Sequence, residues 1–123
     1  MAGAYGGAVR AIGIGLRTAH LLAMALFTGG VHLGATAPSL ATWRAATVAT
    51  GAALLVVEIS HGRHWPYQVR GVAVLAHAAA LALLAWAGMD RSATIAALVL
   101  GGLGSHVPRS VRKFSLLHRR VVE

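Results

Sequence analysis

Apolar residues fall into four long blocks along this chain, with few ionisable side chains inside them. The first covers residues 11–38, where Arg17, His20 and His32 are the ionisable interruptions. The others cover residues 45–59, 72–89 and 93–107. Each block closes on turn chemistry: Ala37-Pro38-Ser39, Ser60-His61-Gly62-Arg63, Gly88-Met89-Asp90-Arg91 and Val107-Pro108. A hydrocarbon core of ~30 Å takes roughly 20 helical residues, with a lower limit of about 17. The second and fourth blocks reach that length once flanking Trp43 and Arg44, or Ser92 and Pro108, are placed in the interface. Helices are therefore predicted over about 9–36, 42–60, 67–89 and 92–107, since helices satisfy their own backbone in lipid. The expected fold is all-α, an integral membrane four-helix up-and-down bundle over residues 1–108. Residues 109–123 form a basic tail.

Composition supports the membrane reading and removes several functions. Hydrophobic residues make up 57% of the 123 positions and charged ones 11%, too few charges to clothe a small water-soluble domain. The acids are Glu58, Asp90 and Glu123. Three acids leave no room for a paired-carboxylate glycosidase, an EF-hand or a diiron carboxylate bundle. With no cysteine there is no disulfide framework, thiol catalysis, Cys-ligated zinc or iron–sulfur cluster. A hydrolytic triad finds no support either. Ser105 and His106 are sequence neighbours, and no acid is placed to orient the base.

The net charge of +8 becomes informative once it is divided among the loops. Arg10 and Arg17 flank the first block, Arg63 and Arg70 lie at the second loop, and the tail holds Arg109, Arg112, Lys113, Arg119 and Arg120. Only Arg44 and Arg91 fall on the opposite side. The positive-inside rule then puts both termini in the cytoplasm of a bacterial-type inner membrane, which requires an even number of spans. This partition accounts for the charge without nucleic acid. Residues 10–37 also have the outline of a signal peptide, but Pro38 directly after Ala35-Thr36-Ala37 disfavours cleavage, so this helix is expected to be retained. In the tail, Val111, Phe114, Leu117 and Val121 recur at helical spacing, predicting an amphipathic helix on anionic lipid or against a partner.

Histidine carries the candidate chemistry, with seven in the chain. At 1.5 Å per residue, His20 lies about 13 Å from the cytoplasmic start of the first helix, and His77 about 15 Å from that of the third. Imidazoles at matched depth on alternate helices suit a haem iron clamped from both sides, a closed site favouring electron transfer. Arg17 and Arg70 lie towards the cytoplasm on the same faces and are candidates for haem propionates. Gly13, Met24 and Phe27 share the His20 face; Ala73, Ala80 and Leu84 share that of His77. The competing expectation is that each histidine simply hydrogen-bonds a neighbouring helix. Gly101-Gly102 and Gly104-Ser105 form the expected small-residue packing surface of the fourth helix.

A second cluster is expected at the cytoplasmic rim. His61 and His106 are candidate ligands for a second haem or for a copper or zinc ion. Glu58, His61 and His64 are the candidates for passing protons to a bound quinone. Alternatively, these histidines and Trp65-Pro66-Tyr67 anchor the loop in headgroups. Glu58 is expected to pair with Arg63, Arg70 or Arg17. His32 with Met24 is a candidate outward copper path, and His118 in the tail has no assigned partner.

The segment Arg17-Thr18-Ala19-His20-Leu21-Leu22-Ala23-Met24, followed by Gly29-Gly30, resembles the first helix of copper-resistance-D-type (CopD-like) membrane domains. Arg70-Gly71-Val72-Ala73-Val74-Leu75 is similar to their later helices. The small size and His/Arg pattern also resemble the haem b-binding membrane anchor subunits of respiratory complexes. The resemblance implies a helical bundle with haem or copper at its histidines, His20 above all. The expectation is a b-type cytochrome subunit exchanging electrons with quinone or other subunits of a redox complex. Its alternatives are a cofactor-free structural subunit and a copper-handling membrane protein.

Overall fold

The computed structural model describes residues 2–60 and 64–121, with side chains from residue 7 onward. The chain forms α1 (Ala2–Leu33), α2 (Ala37–Ser60), a 3-10 turn at Trp65–Tyr67, α3 (Val69–Trp86) and α4 (Asp90–His106). A one-turn α5 (Arg109–Arg112) and two short strands, β1 (Phe114–Ser115) and β2 (Arg120–Val121), complete it. Two compact units result, Met1–Val57 and Glu58–Glu123.

In the first unit α1 stops because Gly34 takes φ +74°, a left-handed conformation that costs a residue without a Cβ little. The Ala35 amide reaches back to the Gly30 carbonyl at 2.8 Å, satisfying a helix-end acceptor. Pro38 was expected in a turn, yet it lies in the first turn of α2. There its missing N–H costs nothing, and α2 starts five residues earlier than the apolar pattern suggested. Ala23, Met24 and Phe27 are buried on α1, with Gly13, Leu16 and His20 half-buried, a spacing of three and four that marks one helix face. On α2, Trp43, Thr47, Thr50 and Leu54 form the corresponding stripe.

The second unit contains the same type of hairpin. Gly88 has φ +72°, and the Met89 amide donates to Leu84 O at 2.9 Å, so α3 ends as α1 does. Both hairpins use three connecting residues, 34–36 and 87–89. α3 and α4 approach one another closely along their backbones. Small residues allow it: a β-carbon on Gly104 would lie 3.9 Å from the Ala73 methyl, and Ala93 and Ala97 are buried.

The tail departs from the helix predicted for it. Helix persists only over Arg109–Arg112, after which Phe114 pairs with Val121 and Ser115 with Arg120 in a tight hairpin. Two bonds explain the change. The Leu116 amide donates to Tyr67 O at 2.8 Å, and the Ser115 hydroxyl accepts from the His118 amide at 3.2 Å. Both amides are thus diverted from an i→i−4 ladder, and Arg119 turns the chain with φ 49°. Helical spacing of Val111, Phe114, Leu117 and Val121 carried no information about this nonlocal partner.

Among the described residues three helices are long and apolar enough to cross a membrane, through Gly7–Leu33, Ala37–Ser60 and Val69–Trp86. Large apolar side chains remain outermost on them, including Leu21 and Val56, each 67% exposed, and Trp86 at 89%. Lipid contact is the environment that suits such surfaces. α4 has 17 residues and opens on Asp90-Arg91. At 1.5 Å per residue it is about 25 Å long.

Candidate functional site

His20 lies well inside α1, within the part of it, Gly7–Leu33, that is long and apolar enough to cross a membrane. Its ring is half-buried and turned towards α2. Nδ1 lies 3.0 Å from the Thr50 hydroxyl oxygen. That hydroxyl lies 2.7 Å from Ala46 O and 3.2 Å from Thr47 O, both within its own helix. Gly51 provides the space for the ring. A β-carbon there would lie 3.0 Å from His20 Cε1 and 3.9 Å from Nε2. Thr50 and Gly51 were not anticipated; the available signal was a hydroxyl residue on the inward stripe of an apolar helix.

His77 is placed comparably in its own unit, with eight residues of the Val69–Trp86 span before it and nine after. Its half-buried ring lies over Gly101 of α4, where a β-carbon would be 3.8 Å from Cε1 and 4.0 Å from Nδ1. Each hairpin therefore sets a histidine of its first helix on a glycine of its second. The expected companions hold their positions. Met24 and Phe27 are buried, Gly13 is half-buried, and Ala73, Ala80 and Leu84 share the half-buried face of His77.

The two arginines differ in their surroundings. Arg17 lies one turn before His20 and is exposed. Arg70 points Nη1 at Glu58 Oε2 across 3.7 Å, and its Nε donates to Gln68 Oε1. The pairing expected for Glu58 is thus found with Arg70, where α2 ends and α3 begins. A propionate at this position would share Arg70 with Glu58.

The rim residues are dispersed among different environments. His106 closes α4 and is exposed, as are His32 at the end of α1 and His64 before the 3-10 turn. His61, and with it Arg63, lies outside the described residues. Among the described residues no group of three or more His, Cys, Asp or Glu is arranged to hold a metal ion.

One cluster was missed altogether. His118 Nδ1 lies 2.9 Å from Ser115 Oγ, and its ring meets His64 edge to face with centroids 5.5 Å apart. Tyr67 stands on the same ring at 6.5 Å. Beneath them Trp65, Gln68 and Ser115 are almost fully buried, and Gly71 is required because a β-carbon would lie 2.0 Å from Trp65 O. This is a packed joint between the tail and the start of α3. Ser115-x-x-His118 was the local signal, but its partner loop lies almost fifty residues earlier. Comparison of the chain with protein-family models, curated proteins and solved structures finds no match to any of them.

Proposed function

We propose that this chain is a b-type cytochrome subunit of a bacterial-type cytoplasmic membrane, with His20 and His77 as the iron ligands. In this reading α1 to α4 all cross the membrane as a four-helix bundle, with both termini in the cytoplasm. Haem bound there supplies one-electron chemistry, passed to or from quinone and other subunits of a redox complex. The CopD-like resemblance of the His20 segment, and that of the His/Arg pattern to haem b-binding anchor subunits, agree with this assignment.

The observation that carries the reading is a histidine inside each of two candidate spans, laid on a glycine of the following helix. An ionisable group at mid-span is costly, so its presence there argues for use. The donor set also fits the group. Thr50 engages only one ring nitrogen of His20, and a ligating histidine is commonly held through the nitrogen that does not face the metal. The test is a reduced-minus-oxidised spectrum of the protein purified in mild detergent. A low-spin b-type band on dithionite reduction is expected, and colourless protein from haem-replete cells overturns the reading.

A cofactor-free structural subunit is the second reading, favoured by the same His20–Thr50 bond. A histidine that only fastens α1 to α2 would make that bond too. In that case the close α3–α4 surface and the basic tail are what the protein offers an assembly. The spectrum separates the two, because only the cytochrome has one.

A further inference from the structure

The Thr50 hydroxyl has a single proton and two lone pairs. Its oxygen lies 2.7 Å from Ala46 O and 3.2 Å from Thr47 O, and carbonyl oxygens can only accept. Its proton is therefore committed to the backbone of α2. Nothing remains for it to donate to His20 Nδ1, 3.0 Å away, so the bond between them requires the ring to be the donor. A neutral imidazole with its proton on Nδ1 has its lone pair on Nε2.

We infer that Thr50 is a positioning residue that fixes His20 as the Nδ1–H tautomer and presents Nε2 as the ligating nitrogen. The inference deepens the haem reading by naming the ligating atom and rests on that reading for its purpose. Its physical content concerns the protein alone. Free histidine in water prefers the opposite tautomer, with the proton on Nε2, so an imposed Nδ1–H form is a measurable departure. Gly51 acts with Thr50: the hydroxyl holds Nδ1, and Cε1 lies where a side chain on residue 51 would displace it. Such a hydrogen bond also raises the basicity of the ligating nitrogen.

The direct test is nitrogen-15 NMR of histidine-labelled protein, prepared without haem in detergent micelles, with His20 assigned by its loss in His20→Gln. Wild type should give a protonated Nδ1 and a bare Nε2 at neutral pH. Thr50→Val keeps the shape of the side chain and removes the hydroxyl acceptor, leaving the ring its hydrogen bond to the Thr47 backbone, and should shift the ring population towards the Nε2–H form. Thr50→Ser should restore the wild-type signals. A wild-type His20 carrying its proton on Nε2, or a Thr50→Val spectrum identical to wild type, overturns the inference. With haem bound, Thr50→Val should raise the midpoint potential, since a less basic ligand stabilises ferric iron less, and Thr50→Ser should return it. Failure of the haem reading is separate: colourless protein whose His20 is still the Nδ1–H tautomer refutes the cofactor and leaves the role of Thr50 standing.

Discussion

Gly51 lies beneath the imidazole of His20 so closely that a β-carbon added to it would approach Cε1 to 3.0 Å. The equivalent β-carbon on Gly101 would stop 3.8 Å from Cε1 of His77, an ordinary van der Waals distance. The two hairpins share a design but differ in tolerance.

That difference gives a paired test. Gly51→Ala makes the His20 ring, held by Thr50, give by a few tenths of an ångström. Overpacking of about 1–3 kcal/mol should outweigh the helix-propensity gain of about 0.5–1 kcal/mol. Gly101→Ala meets open contact and gains helix propensity of about 0.5–1 kcal/mol. Thermal unfolding in detergent should therefore show a lowered Tm for Gly51→Ala and an unchanged or raised Tm for Gly101→Ala. Equal effects would mean that the ring of His20 is not seated on Gly51.

The ligand assignment is tested by replacing each histidine singly. His20→Ala and His77→Ala should each abolish the low-spin b-type band, since a six-coordinate iron loses that state when either axial ligand is removed. His106→Ala should leave the band intact. Retention of the full spectrum in both central variants, with its loss in His106→Ala, would move the ligands to the rim.

Much of this arrangement was legible in the sequence because it depends on local pattern. The stripe of Gly13, Met24 and Phe27 around His20, and that of Ala73, Ala80 and Leu84 around His77, follow from helical periodicity alone. Glu58 and Arg70 were legible as partners because acids are so scarce that the choice was among three arginines. Thr50 was not, since a threonine in an apolar helix ordinarily returns its proton to its own backbone. Only the position of α2 beside α1 shows that a lone pair remains for His20. The tail failed for a related reason: the partner of the Leu116 amide is the Tyr67 carbonyl, and no periodicity within residues 109–123 encodes a contact with residue 67.

Ser115 should control whether the tail stays on the start of α3. It is fully buried, lies 2.9 Å from His118 Nδ1 and accepts from the His118 amide. Ser115→Ala removes both bonds, for a net loss of about 1 kcal/mol if one hydrogen bond's worth is not recovered. By the factor of about 5 per kcal/mol that follows from the Boltzmann relation, exchange of the Leu116 amide should accelerate several-fold. Hydrogen exchange read by mass spectrometry over residues 109–121 measures it, and α1 should serve as the unaffected control. Unchanged exchange in the tail would show that Ser115 does not hold the joint.

The number of spans turns on α4, because its 17 residues sit at the lower edge of what a bilayer requires. Asp90 and Arg91 at one end, and His106 at the other, leave a fully uncharged stretch between them, with Arg109 and the basic tail beyond. In the four-span reading α4 crosses, and the five cations over residues 109–120 fall on the cytoplasmic side, opposite Arg91. A chain without cysteine makes the test clean, since each introduced thiol is the sole target of a maleimide. Ala35→Cys and Ala87→Cys lie in the exposed hairpin connections and should react with a membrane-impermeant maleimide applied from the periplasmic side. Leu117→Cys, 64% exposed at the tip of the tail hairpin, should react only after the membrane is permeabilised. Labelling of residue 117 together with residue 87 from outside would show that α4 turns back without crossing. The chain would then have three spans, with its termini on opposite sides.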